Sequence, residues 1–177
     1  MKNWMLWPVL FLAISACAQE SAAPKQPTTL KGILLMELRE THNQKNWFVS
    51  EKEAVAGLTP EQAAWSDGKN HSVGQLVQHM IFWNSFNLAH FKGEHPPNPG
   101  PNDNTFKFDP QQWDATLKQF DNVMDEWEHI VEKADDATLA RIAPLIAHIS
   151  EHNAYHIGEI IAVRKSHGTW NPDLGVK

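Results

Sequence analysis

The sequence predicts an all-α protein organised as a four-helix bundle. Three observations predict it. Apolar residues recur at three- and four-residue intervals in four long segments. Ser or Thr followed three residues later by Glu or Gln marks helix starts at Ser50…Glu53, Thr59…Gln62 and Ser72…Gln75. No stretch alternates apolar and polar residues as a strand would, and no internal repeat is visible.

The first long helix is expected from about Leu30 to Lys45, with Leu30, Ile33, Leu34 and Leu38 on one stripe. Two short helices follow, one near Glu51–Gly57 and one opened by Thr59 with Pro60 in its first turn. The second long helix opens at Ser72 and runs to about Phe91. Gly93 to Asn104 is rich in Pro, Gly and Asn and cannot continue it, leaving room for a crossover connection. The third long helix covers about Pro110 to Lys133, with Trp113, Leu117, Phe120, Met124, Trp127 and Val131 in unbroken three-four spacing. Asp135 and Asp136 are expected to separate it from the fourth, which starts near Pro144 and stops at Gly168. Arg164, Lys165 and His167 sit in its last turns, where the helix dipole favours cations. Four such stripes bury one another most simply as a bundle.

The N-terminus reads as an address. Lys2 is a short basic region, Met5 to Ile14 is an apolar run too short to span a bilayer, and small residues follow. Ile14-Ser-Ala-Cys17 resembles a bacterial lipobox, with Cys17 the lipidated residue and 1–16 the signal peptide. Ala16-Cys17-Ala18 also fits ordinary cleavage before Gln19, which would give a secreted or soluble periplasmic protein. Residues 17–28 read as a flexible tether, 29–172 as the folded domain and 173–177 as a tail. The expected location is the cell envelope, at the outer membrane in a Gram-negative source because Ala18 is not Asp. The only membrane contact expected is the lipid anchor. A single cysteine excludes a disulfide framework and a Cys-rich zinc module. A net charge of −6 argues against a nucleic-acid partner.

Among 177 residues there are ten histidines, and several stand where leucines belong. On the fourth long helix, Leu145, Ile149, His152, His156, Ile160 and Val163 share a face. On the second, Leu76, His79, Trp83 and Phe86 do. Histidines four residues apart stand about 6 Å apart along the axis and can chelate one ion. His148 lies four residues before His152, so spacing alone allows either His148/His152 or His152/His156. Three inward histidines from two helices would leave a coordination position open, the arrangement of catalytic rather than structural zinc sites. The alternative is a purely apolar bundle with buried histidines and no metal.

A resemblance adds to this. His71-Ser-Val-Gly-Gln-Leu-Val-Gln-His79-Met-Ile-Phe-Trp83 resembles the second helix of the DinB-like superfamily, and His152-Asn-Ala-Tyr-His156-Ile-Gly-Glu-Ile160 resembles its fourth. Thr41-His42…Trp47-Phe48 and Leu58 to Trp65 are similar to its first helix and following loop. The resemblance covers about residues 30 to 170. It implies a bundle of up-down-down-up topology and a divalent metal, Zn, Ni or Fe, held by His79, His152 and His156. Glu159 departs from the Gln common in that family; it falls on the His152 stripe and is a candidate fourth ligand, outer partner or general base. Tyr155, the only tyrosine, is a candidate proton donor and is otherwise expected as a core aromatic with a bonded hydroxyl. His42 is expected at the surface, Trp83 in the core beside the ligand histidine, and His71 at the surface.

The function these features imply is a metal-dependent hydrolase or transferase acting on an unidentified small molecule, with Glu159 or Tyr155 moving protons. The alternative is a non-catalytic envelope lipoprotein that uses the bundle for metal or partner binding. Members of the family include thiol transferases, but their thiol cofactors are scarce outside the cytoplasm, which weakens that reading for an exported chain. The family often dimerises, so a homodimer is the oligomeric expectation.

Overall fold

Each of the three Ser/Thr signatures opens a helix in the computed structural model, which describes residues 26–176. The signal segment, Cys17 and most of the tether lie outside the described residues. The helices are α1 (Leu30–His42), α2 (Glu51–Val55), α3 (Pro60–Ala64), α4 (Val73–Phe91), α5 (Trp113–Lys133) and α6 (Asp136–His167), with short 3-10 turns at Asn102–Phe106, Pro110–Gln112 and Pro172–Leu174. Among the described residues there is no strand, and no helix is long and apolar enough to cross a membrane.

The caps are reciprocal. Ser72 Oγ accepts from Gln75 N at 3.3 Å while Gln75 Oε1 accepts from Ser72 N at 2.9 Å. The same box forms at Ser50/Glu53 and Thr59/Gln62. Two orphan backbone donors are thus satisfied at each start, which defines where α2, α3 and α4 begin.

The four long helices contact one another as a ring: α1 against α6, α6 against α4, α4 against α5 and α5 against α1. Inside it lie Leu34 and Leu38 of α1, Val77 and Met80 of α4, Phe120, Met124 and Trp127 of α5, and Ile146, Ile157 and Ile160 of α6. Two buried indoles still find acceptors: Trp113 Nε1 donates to Leu58 O at 3.1 Å and Trp127 Nε1 to Asn84 O at 3.2 Å. Burying these rings therefore leaves no unmet N–H.

Several expectations need correction. On α1, Leu30 and Ile33 are 40% and 37% exposed, so only Leu34 and Leu38 of the expected stripe reach the core. That helix ends at His42, with Asn43 leaving helical geometry, rather than at Lys45. The last helix starts eight residues before Pro144. Asp135, expected to separate two helices, caps the second of them by accepting from Thr138 N at 2.8 Å. Pro144 sits inside α6 on its exposed side, where water can reach the carbonyl of Ala140 that proline cannot serve. Gly168, in the left-handed conformation at φ +73°, ends α6 as expected.

The buried stripe of α6 includes Ile146, Ser150, Asn153, Ile157 and Arg164. It is rotated by roughly a quarter turn from the face that carries His152 and His156. The histidines therefore stand on the edge of the stripe and face α4, not the middle of the core.

Candidate metal centre

His79 comes from the middle of α4, and His152 and His156 from successive turns of α6. Because α4 and α6 are neighbours in the ring, the three rings meet. His152 Nε2 lies 3.2 Å from His79 Nε2 and 3.1 Å from His156 Nε2. Three nitrogens at about 2.05 Å from one ion in tetrahedral geometry stand about 3.3 Å apart. The donor set and its spacing fit a divalent ion. His79 and His156 are buried, 3% and 6% exposed, and His152 is half-buried.

The outer nitrogens show why the Nε2 atoms face inward. Thr105 Oγ1 donates to Asn102 O at 2.6 Å, which spends its hydroxyl proton. It can therefore only accept from His79 Nδ1, at 2.5 Å, so the His79 proton is on Nδ1 and its Nε2 lone pair points to the centre. Glu159 Oε2 plays the same part for His156, accepting from Nδ1 at 2.7 Å. Phe106 stacks on the His79 ring at 4.0 Å and on His71 at 3.8 Å, so a sandwich of three rings limits rotation of His79.

Electrostatics keep His79 and His152 neutral. Burial, then the neighbouring His156, His152 and His71, push His79 down to about 3. Burial, then His156 and His148, push His152 down to about 4. A metal ligand must present a lone pair, and two of the three rings keep theirs even in weak acid.

The structure thus brings together His79, His152 and His156 and decides between the two pairs that spacing allowed. The His148 side chain is 83% exposed and lies 4.0 Å from Glu151, away from the group. Of the roles expected for Glu159, the geometry matches that of outer partner: its carboxylate sits on the far nitrogen of His156 and not among the ligand atoms. Tyr155 is corrected: it is 65% exposed and not core, because it projects from the solvent side of α6. Its hydroxyl donates to Glu159 Oε1 at 3.2 Å. The charge of Glu159, then this hydrogen bond, raise the Tyr155 pKa. Trp83 is half-buried and meets His79 edge-on at 6.4 Å. Sequence reasoning missed Thr105 and Phe106. They follow an irregular loop, outside any periodic pattern, so no local signal marks them.

His42 is also corrected. It is 1% exposed, not a surface residue, because it ends α1 directly against α5. Its Nδ1 lies 2.8 Å from Glu128 Oε1 and its Nε2 3.1 Å from Asp121 Oδ1. Asp125 stands 3.9 Å away and Arg39 pairs with Glu128 at 3.0 Å. Burial pulls the His42 pKa down, but the hydrogen bonds to Glu128 and Asp121 outweigh it and hold the ring above its usual value. Nearby Glu51, on α2, is buried with Oε1 unpartnered. Burial, then Asp121, push its carboxyl up to about 8 against the pull of Lys52.

No curated protein and no solved structure matches the chain. The model of the DinB superfamily matches residues 52–160, a span that contains α3, α4 and α5 whole and all three clustered histidines. With that match over more than half its length, the chain belongs to the DinB superfamily.

Proposed function

We propose that this chain is a divalent-metal-dependent hydrolase or transferase of the cell envelope, with His79, His152 and His156 as ligands and a small molecule as substrate. The observation that carries the reading is the convergence of three Nε2 atoms at 3.1–3.2 Å steps, two of them with Nδ1 committed to Thr105 or Glu159. The four long helices are read as a four-helix bundle of up-down-down-up topology. Zn, Ni or Fe would suit imidazole donors. When bound, such an ion supplies Lewis acidity and makes water a better nucleophile.

The chain's own residues do the rest. Thr105 and Glu159 orient His79 and His156. Glu159 sits at the rim with one oxygen toward His156 and the other accepting a hydrogen bond from the Tyr155 hydroxyl, a position from which a carboxylate can accept a proton from a bound substrate. The candidate ligand group contains three side chains among the described residues. Because Glu159 does not join them, the arrangement favours the open, catalytic reading over a closed structural site. Export rests on the signal-like N-terminus and on Cys17 as its lipidation site.

The test is metal content by elemental mass spectrometry on the purified full-length protein. About one divalent ion per chain is expected, lost in His152→Ala and kept in His148→Ala. Absence of metal after supplementation, or equal loss in both variants, would refute the assignment. Labelled fatty acid that enters the wild type but not Cys17→Ala would support the anchor.

A further inference from the structure

A cleft of about 330 Å³ opens between α4 and α6, lined by Trp83, Asn84, Asn87, His148, Ile149 and His152. His152 belongs both to this wall and to the three-histidine group. A second hollow of about 420 Å³ shares Trp83 and is lined also by Phe86, Pro96, Pro99 and Asn102. Neither lining contains Asp, Glu, Lys or Arg. A cleft nearer the C-terminal end of α6, on the same face, differs: it has Asp67, Lys69 and Glu159 in its wall and none of the three histidines.

One wall residue carries an unmet hydrogen bond. Asn84 is 1% exposed, and its Nδ2 donates to Asn153 Oδ1 at 3.2 Å, but its Oδ1 has no partner. A buried acceptor without a donor is costly, and a ligand N–H or O–H would satisfy it. Trp83 presents an aromatic face beside it, shared by both hollows. Away from the centre itself, an ionised group would lose its hydration there with no charged side chain in either lining to replace it.

We propose that this cleft is the substrate channel of the centre and that it takes an uncharged molecule. A flat or apolar group lies against Trp83, and a hydrogen-bond donor reaches toward Asn84. The inference rests on the metal-centre reading above and names the substrate class for that same site.

The test uses the full-length zinc-loaded protein and four hydroxamates that share one metal-binding head. They are acetohydroxamate, benzohydroxamate, 4-carbamoylbenzohydroxamate and 4-carboxybenzohydroxamate, with affinities measured by calorimetry. Benzohydroxamate should bind about fivefold tighter than acetohydroxamate, a gain that Trp83→Ala, still carrying zinc, loses. The carbamoyl compound should bind about tenfold tighter than the carboxylate. Asn87→Lys, which places a cation on the same wall, should reverse that order. If zinc is bound but the aryl tail gives no gain, or the carboxylate binds as tightly as the carbamoyl compound, the channel assignment is overturned while the metal centre survives. If the wild type binds no zinc, the metal reading itself falls and the channel with it.

Discussion

Two buried histidine sites in this molecule have opposite electrostatics. At the α4–α6 site, His79, His152 and His156 turn their Nε2 atoms toward one another, with no carboxylate at the meeting point. At the α1–α5 site, both nitrogens of His42 face carboxylates, Glu128 and Asp121. The first arrangement disfavours protons on His79 and His152 and aims the ring nitrogens at a common point. The second favours a proton on each nitrogen, because each faces a carboxylate. Burial alone does not decide what a histidine does; the groups at its two nitrogens do.

The comparison can be broken at four points, taken from the largest expected effect to the smallest. Replacing His42 by Ala removes both charge-assisted hydrogen bonds and leaves Glu128 facing Asp121. A loss of about 2 kcal/mol in urea unfolding is expected, with metal content unchanged. Loss of metal in this variant would show that the two sites are not independent.

Thr105→Val removes the acceptor on His79 Nδ1. Metal affinity should fall by roughly 10- to 100-fold, while Thr105→Ser restores it. Competition against a chelator measures this. An unchanged affinity would mean that packing by Phe106 suffices to hold the ring.

The pH response of the metal-free protein should separate the sites by sign. His42 has a folded value above its ordinary 6.5. Its contribution is complete below about pH 6.5 and is lost as pH rises through the folded value. Glu51, raised from 4.5 to about 8, acts in the same direction: stability falls as pH climbs between those values. His79 and His152 act oppositely. Between pH 6.5 and about 4 for His152, or about 3 for His79, the unfolded chain takes up protons that the folded chain refuses. Stability is therefore lost as pH falls through that interval. Unfolding midpoints across pH should show His42→Gln and Glu51→Gln reducing the alkaline loss and His152→Gln reducing the acid loss. The reverse pattern would contradict the assignment of charge states.

The smallest effect is expected at Tyr155. Its hydroxyl is exposed and bonds Glu159, not a ligand. Tyr155→Phe should change metal affinity by less than about twofold, as suits an exposed hydrogen bond. Glu159→Gln, which weakens the acceptor on His156 itself, should cost about tenfold. A Tyr155→Phe loss as large as that of Glu159→Gln would place the tyrosine in the ligand network.

Much of this molecule was legible in local pattern. Helix starts followed from Ser50, Thr59 and Ser72, because a cap and its partner lie three residues apart. The α5 stripe followed from its three-four spacing, and the end of α6 from Gly168. The spacing of His152 and His156 showed that one ion could bridge them, since the geometry of one helical turn is independent of the rest of the fold. Tertiary structure decided what depends on how helices are rotated and which loops return. It placed His148 in solvent and His156 inside, because His156 borders the α6 core stripe on the side of α4 and His148 points away from it. It buried His42 and exposed Tyr155, reversing both expectations. It also brought Thr105 from the end of an irregular loop onto His79, a contact between residues 26 apart in sequence that no periodicity encodes. Helix periodicity and capping are short-range and repeat with the backbone. The partners of a buried nitrogen are set by packing between distant segments, and so only the folded chain reveals them.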